Sequence, residues 1–112
     1  MKVECKTTEE MLQDKGLNAP RLNPKHIEDT IKKCEFFKMT DVLTVCVLTL
    51  RNGFTVTGES ACASPENYDK QIGEKIAREN AKEKIWTLEG YLLKERIHNN
   101  ETVWLERYTK AL

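Results

Sequence analysis

The sequence predicts an α+β fold, with an N-terminal helix, a short antiparallel sheet centred on an Asn-Gly hairpin, and one long or two consecutive C-terminal helices. An Asn-Pro pair at residues 23–24 is typical of a helix start. The run TDVLTVCVLTLR at residues 40–51 is rich in strand-forming residues and ends at Asn52-Gly53. From residue 67 onward the chain turns polar and carries apolar side chains at helical spacing. With 112 residues, the chain is expected to form one domain with a modest core.

The first helix is predicted to begin after Asn23, whose side chain can accept backbone N–H bonds, with Pro24 at the first helical position. The apolar residues that follow form one face at helical spacing: Ile27, Ile31 and Cys34, or Phe36 in place of Cys34. Upstream, the chain is polar and weakly periodic, with a short helix expected over residues 7–15. We therefore assign residues 1–22 to a polar N-terminal extension and residues 23–112 to a single α+β domain.

Two strands are predicted before the hairpin, CEFFKM at residues 34–39 and the longer run that follows it. Asn-Gly favours a two-residue type I′ turn, because both of its central positions need positive φ. Closing that turn would pair Thr49 with Val56 and Val47 with Gly58. One face would then carry Leu43, Val45, Val47, Phe54 and Val56, and the other Cys46, Leu48, Leu50, Thr55, Thr57 and Glu59. Both faces are partly apolar, so both are expected to be covered.

The C-terminal segment is predicted to start at Ser64 and to stay helical to about residue 97. Its apolar residues form two stripes on roughly opposite sides, Tyr68, Ile72 and Ile76 on one, and Ala77, Ala81, Ile85, Leu88 and Leu92 on the other. A straight helix cannot turn both stripes to one surface. Either the helix breaks near Trp86, or both sides are buried, one of them by a partner chain. The tail segment TVWLERY, residues 102–108, is expected to add one edge strand.

The composition bears on partners and location. Eighteen Lys and Arg residues balance eighteen Asp and Glu residues, so no surplus of positive charge favours nucleic acid as a partner. No window approaches the apolar length of a membrane span, and the N-terminal residues lack the apolar core of a signal peptide. A cytoplasmic protein without membrane association is therefore expected. The low hydrophobic fraction of 39% favours self-association, because a shared face adds apolar burial that one copy lacks.

Motifs for catalysis are missing from the sequence, which contains no G-x-S-x-G, no phosphate loop and no H-E-x-x-H. Neither His26 nor His98 has an obvious carboxylate or thiol partner. The four cysteines are widely spaced and include no C-x-x-C pair: Cys5, Cys34, Cys46 and Cys62. We therefore expect reduced thiols, no metal site, no cofactor and no enzymatic activity.

A binding site for an anionic ligand is predicted near the start of the long helix, where free N–H groups and the helix dipole favour phosphate. Asn67 lies within the expected first turn. Tyr68, in the same turn, is interpreted either as a core residue or as a stacking platform. Three arginines are candidates for a phosphate clamp or for stacking on a purine: Arg51, Arg78 and Arg96. The alternative for each arginine is a solvated salt bridge, and Arg78 has Glu74 four residues before it.

Three segments together resemble a family of small phage and prophage proteins: TVCVLTLRNGFTVTGESACASPENYD, IGEKIARENA and IWTLEGYLL. The resemblance covers residues 23–97, about two thirds of the chain. The family it implies includes the Thoeris anti-defence sponges, which sequester the glycocyclic ADP-ribose signal made by TIR-domain defence enzymes. Some members resemble sponges for cyclic oligonucleotide signals. The resemblance implies a homodimer, or dimers assembled into a hexamer, with ligand held between chains and not hydrolysed.

In such sponges an aromatic residue and an arginine sandwich the adenine, which Tyr68 and Arg96 match best here, with Asn80 as a third contact. Within one straight helix Tyr68 and Arg96 would lie about 42 Å apart, so they share a pocket only across a kink or a dimer interface. The expected function is a phage anti-defence sponge, a Thoeris inhibitor, in the cytoplasm of an infected or lysogenic bacterial host. The alternative is a phage interaction protein that binds a host protein through the same apolar surfaces. An enzyme of nucleotide metabolism ranks third.

Overall fold

The computed structural model describes residues 20–100, in which one long helix lies across one face of a three-stranded antiparallel sheet. The elements in chain order are α1 (Pro24–Thr30), β1 (Ile31–Lys38), β2 (Leu43–Leu50), β3 (Thr55–Ala61), a 3-10 turn (Pro65–Asn67) and α2 (Lys70–His98). The strand order is β1-β2-β3, so β1 and β3 are the two edges. The predicted α+β fold is confirmed. The helix expected over residues 7–15 and the strand expected over residues 102–108 lie outside the described residues.

Helix α1 begins as predicted and ends earlier. The Asn23 side chain accepts a hydrogen bond from the His26 N–H at 2.8 Å, so the N-cap is confirmed. The helix ends at Thr30, because Ile31 pairs with Leu50 at the start of β1. The prediction that Ile31 and Cys34 extend the apolar face of the helix is therefore wrong. Pairing with the long strand β2 outweighs the helical spacing of these residues.

The hairpin loop has three residues and not two. The Leu50 N–H donates to the Phe54 carbonyl at 2.8 Å, and the Gly53 N–H donates to the Leu50 carbonyl at 2.9 Å. Of the loop residues only Gly53 has positive φ, at 91°, so a type I′ turn is excluded. The Asn52 side chain instead accepts a hydrogen bond from the Phe54 N–H at 3.0 Å. This is the three-residue loop that ends in a left-handed glycine.

The longer loop shifts the register of the hairpin by one residue. Val56 lies opposite Leu48, and Gly58 lies opposite Cys46, so the predicted pairs of Val56 with Thr49 and Gly58 with Val47 are wrong. A slip of one residue moves side chains to the other face of the sheet. Val56 therefore joins the face of Cys46, Leu48 and Leu50, whereas Thr55, Thr57 and Glu59 lie with Val45 and Val47 on the opposite face.

Helix α2 runs unbroken over 29 residues, so the break considered near Trp86 does not occur. It also begins later than predicted, because Ser64 precedes only the short 3-10 turn and makes no side-chain cap. The true cap is Asp69, whose carboxylate accepts a hydrogen bond from the Ile72 N–H at 3.0 Å. Among the described residues, no helix is both long enough and apolar enough to cross a membrane.

The core lies between α2 and the sheet. Its buried residues come from α1, the sheet and α2: Ile27, Cys46, Leu48, Leu50, Val56, Ala77, Ala81 and Ile85. The helix approaches so closely that a Cβ atom on Gly58 would lie 2.2 Å from the Ala77 carbonyl oxygen. The other stripe of α2 stays outside, with Ile72 58% and Ile76 45% exposed. Its burial by a partner chain stays a prediction.

Candidate functional site

A pocket of about 100 Å³ lies where the start of α2 meets the end of the sheet. Asn67 and Tyr68 line it, as the sequence predicts for residues of one site. The remaining wall is formed by Val42, Thr44, Ser60, Ala61, Cys62, Asp69, Ile72, Gly73 and Ile76. Polar groups from β2, β3 and the 3-10 turn thus converge beside the exposed stripe of α2.

Tyr68 is held in a defined orientation in this pocket. It follows the 3-10 turn, and its N–H donates to the Pro65 carbonyl at 3.1 Å, so it stands outside helix α2. Its hydroxyl lies 3.4 Å from the Thr44 hydroxyl, which is itself buried. The Lys38 ammonium lies 4.3 Å from the ring centroid, within the range of a cation–π interaction. The half-buried ring is therefore fixed at its tip and on one face.

The charge at the start of α2 differs from the charge expected for a bare helix N-terminus. The Asp69 carboxylate accepts from the Ile72 N–H, and the Asp69 carbonyl accepts from the Gly73 N–H. This acidic cap competes with a phosphate for the same end of the helix. A cation, Lys38, lies on the Tyr68 ring nearby. Asp69 itself is suited to accept hydrogen bonds from hydroxyl or amino groups of a ligand.

Arg78 lies in a different place, on the side of α2 that faces α1. Its guanidinium donates two hydrogen bonds to the Glu28 carboxylate, at 2.8 and 3.1 Å. The Lys82 ammonium lies 2.7 Å from the same carboxylate. The hydrogen bonds from Arg78 and Lys82 hold the pKa of Glu28 at about 2, and the pKa of Arg78 is raised in return. The partner of Arg78 is thus Glu28 and not Glu74, and the pair joins the two helices.

Arg51 lines a second pocket of about 140 Å³, together with Thr30, Asn52 and Glu89. Glu89 also faces α1, and its carboxylate lies 3.8 Å from the His26 imidazole. The interaction with His26 lowers the pKa of Glu89 despite burial. This polar cluster connects α1 to the C-terminal half of α2. Tyr68 lies at the opposite end of α2, just before the helix begins.

Arg96 and Asn80 lie 16 residues apart on α2, which is about 24 Å along its axis. Arg96 lies in the last turns of α2, about 39 Å along the helix axis from Lys70. The Asn80 amide donates to the Glu59 carbonyl at 2.7 Å and so satisfies one backbone group of the edge strand β3. Of the six residues predicted to bind ligand, the structure brings only Asn67 and Tyr68 into one pocket. The binding roles of all six stay predictions.

Sequence reasoning missed Thr44 and Asp69, which line this pocket, and Lys38, which contacts the Tyr68 ring. Lys38 and Thr44 lie opposite each other in the β1–β2 register, and 24 residues or more separate them from Tyr68. No local pattern connects them. Asp69 had a usable signal, because an Asp before a helical run is a preferred N-cap.

The described cysteines are free thiols: Cys34, Cys46 and Cys62. The sulfur atoms of Cys34 and Cys46 lie 3.8 Å apart, and burial first, then the neighbouring Cys34, raises the pKa of Cys46 to about 12. Within residues 20–100, no group of three or more His, Cys, Asp or Glu side chains is arranged to hold a metal ion.

Comparison with protein families gives one match. Residues 22–97, about two thirds of the chain, match the model described as the Phage protein (N4 Gp49/phage Sf6 gene 66) family. No curated protein and no solved structure matches the chain. The matched segment contains the sheet, the Tyr68 pocket and nearly all of α2.

Proposed function

The chain belongs to the Phage protein (N4 Gp49/phage Sf6 gene 66) family, and from that premise we propose that it is an anti-defence sponge. It binds a cyclic nucleotide immune signal, glycocyclic ADP-ribose or a cyclic oligonucleotide, and holds it without hydrolysis in the cytoplasm of the bacterial host. The observation that carries the proposal is the Tyr68 ring, fixed at a pocket mouth between a lysine and a buried hydroxyl.

The pocket supplies a partner for each part of such a ligand. A purine stacks on the face of Tyr68 that lies opposite Lys38, since aromatic side chains are general platforms for bases. The Lys38 ammonium is placed to attract the diphosphate. Asp69 and Asn67 accept hydrogen bonds from ribose hydroxyls, which a carboxylate and an amide do well.

One chain provides only part of this site. A pocket of about 100 Å³ is smaller than the roughly 300–1,000 Å³ of a typical ligand site, so the ligand needs further walls. Ile72 and Ile76 line the pocket and also form the exposed stripe of α2. A partner chain that covers this stripe would therefore close the pocket as well. Within one chain, Arg96 lies at the far end of α2 from Tyr68. In a homodimer, or a hexamer built from dimers, the Arg96 side chain of the second copy would complete the pocket.

The test is calorimetric titration of glycocyclic ADP-ribose into the wild type and into Tyr68→Ala. Loss of the stacking face should weaken binding by about 1–3 kcal/mol. Tyr91→Ala is the matched control, because Tyr91 lies on α2, is 74% exposed and does not line the pocket. No heat with the wild type at protein concentrations far above micromolar would end the proposal for this ligand.

Arg96 is tested by two substitutions. Arg96→Lys keeps the charge but loses the planar stacking surface, so it should weaken binding almost as much as Arg96→Ala. Full rescue by lysine, with affinity that falls steeply in salt, would instead make Arg96 a simple counter-charge. Light scattering on the same samples should show at least a dimer, and a monomer of 13.0 kDa would remove the two-chain pocket.

The alternative, a phage protein that binds a host protein, uses the same exposed stripe. Thermal stabilisation of the pure protein by cyclic nucleotides separates the two functions, since only the sponge responds. An enzyme would alter its ligand, so recovery of chemically intact nucleotide after heat denaturation distinguishes the sponge from a hydrolase.

A further inference from the structure

A second apolar surface lies beside the hairpin, at a distance from the Tyr68 pocket. Two adjoining hollows of about 440 and 250 Å³ share Phe54 and Leu88 and form one continuous groove, which we call the hairpin groove. Its apolar lining is completed by Leu50, Val56 and Leu92. Phe54 is 55% exposed and Leu88 41% exposed, so two large apolar side chains face outward at the same place.

One wall of the hairpin groove is the edge strand β3. Thr55, Val56 and Thr57 line the groove, and within residues 20–100 this strand pairs only with β2. The outer side of an edge strand presents backbone N–H and C=O groups that can pair with another extended segment. A groove that combines such an edge with apolar side chains is suited to a strand that adds to the sheet.

We propose that the hairpin groove binds the chain's own C-terminal segment, residues 102–108, as an extended strand along β3. This inference does not depend on the proposed sponge function, because it concerns a different surface. The segment, TVWLERY, combines strand-forming residues with apolar side chains that match the lining of the groove. A second copy of the chain and a host protein are the other occupants that the experiment must distinguish.

Helix α2 is followed by a left-handed residue. The Asn99 N–H donates to the Glu95 carbonyl and the Asn100 N–H to the Ile97 carbonyl, and Asn100 has φ of 56°. A left-handed residue just after a helix turns the chain away from the helix axis.

The distances also fit. Leu92 and Leu88 lie six and ten residues before His98, which is about 9 and 15 Å along the helix. Seven extended residues span roughly 23 Å, so residues 102–108 can pass both leucines. Because the segment is tethered to the same chain, its effective concentration at the groove is of the millimolar order that short linkers give. A separate partner would have to outcompete it.

The two tryptophans of the chain, Trp86 and Trp104, allow a direct test. In a Trp86→Phe background, Trp104 is the single fluorophore and reports on the segment. We expect blue-shifted emission and shielding from acrylamide, both independent of protein concentration. Leu88→Asp in the groove should shift the emission to the red and increase quenching.

Two further variants guard against misreading that result. Leu105→Asp changes only the segment, so it should release Trp104 even if Leu88→Asp disturbs the fold. Tyr91→Asp places the same charge on a neighbouring exposed turn of α2 outside the groove, and it should leave the emission unchanged.

Three outcomes would overturn the proposal. The first is solvent-like emission of Trp104 in the Trp86→Phe background. The second is shielding that rises with protein concentration, which would assign the groove to the segment of another copy. The third is shielding that survives Leu88→Asp, which would place the segment elsewhere.

Discussion

The two faces of the sheet differ more in their surroundings than in their composition. The face toward α2 is shielded from solvent, with Cys46 and Leu48 fully buried under the helix. The opposite face also carries apolar side chains, Val45 and Val47 among them, but these stay partly exposed, and no element within residues 20–100 covers them. Apolar content alone therefore does not determine which face of this sheet receives the helix.

Gly58 determines which face of the sheet receives helix α2. It lies opposite Cys46 on the covered face, and its missing side chain lets the backbone of α2 pass at Ala77 and Ala81. On the open face the neighbouring positions of β3 carry Thr57 and Glu59, which would hold a helix further away. Close approach of the backbones, rather than a larger apolar area, makes the covered face the core.

The largest effect is therefore expected for Gly58→Ala. Its Cβ would lie 2.2 Å from both the Ala77 carbonyl oxygen and the Ala81 nitrogen, and helix backbone cannot yield as a side chain can. We expect a loss of about 3 kcal/mol or more in the free energy of unfolding, at the upper end of the cost of overpacking. Chemical denaturation measures it.

Gly90→Ala is the matched control. Gly90 lies within α2, and a Cβ there would meet only Leu22 at an ordinary contact distance of 3.9 Å. Alanine should stabilise the helix by about 0.5–1 kcal/mol. Equal stability of the Gly58→Ala variant and the wild type would show that α2 does not pack on β3 at this point.

The next largest effect is expected at Gly53, whose turn sets the register and hence the identity of both faces. Its φ of 91° is the left-handed region, and no atom lies within 4 Å of an added Cβ. Gly53→Val should thus cost about 1–3 kcal/mol through backbone strain alone. Gly53→Asn should cost less, since Asn tolerates positive φ. Equal losses for the two variants, measured by thermal unfolding, would contradict this reason.

Two valine-to-threonine substitutions compare the faces directly. Val56→Thr places a hydroxyl on the covered face, where the side chain is 6% exposed, and should cost about 1–2 kcal/mol. Val47→Thr on the open face should change stability by less than about 0.5 kcal/mol. A cost for Val47→Thr that matches Val56→Thr and grows with protein concentration would show that another chain covers the open face.

A smaller effect than that of Val56→Thr is expected for the ion pair that connects α1 to α2. Glu28→Gln should cost about 1 kcal/mol or less at neutral pH, because the carboxylate is 42% exposed and screened by solvent. The pKa of Glu28 is lowered from 4.5 to about 2, so its contribution is present above about pH 4.5 and is lost as the pH falls through 2.

Denaturation of wild type and Glu28→Gln across this range should show the difference shrinking below pH 4.5. Asp29→Asn removes a carboxylate of the same helix whose pKa is lowered by the hydrogen bond from Lys25, and it is the control. It should show a smaller difference than Glu28→Gln, because both partners of this pair are exposed to solvent. A difference that persists unchanged at pH 2 would mean that the charge of Glu28 is not the cause.

The sequence by itself determined the kind and order of the elements and part of the candidate site. The Asn23 cap and the apolar periodicity of the long helix are local properties, so they could be read without a structure. The neighbourhood of Asn67 and Tyr68 was equally accessible, because the two residues are adjacent in the chain. The family resemblance rests on the same contiguous segments.

Only the tertiary structure decided the register, the end of α1, the covered face and the surroundings of Tyr68. The same Asn-Gly pair allows loops of two or three residues, and packing of β3 under α2 selects the longer one. Lys38 reaches the Tyr68 ring, and Glu28 reaches Arg78, across 30 and 50 residues of chain. Contacts of this kind depend on how distant strands and helices come together, and no local pattern of residues records that.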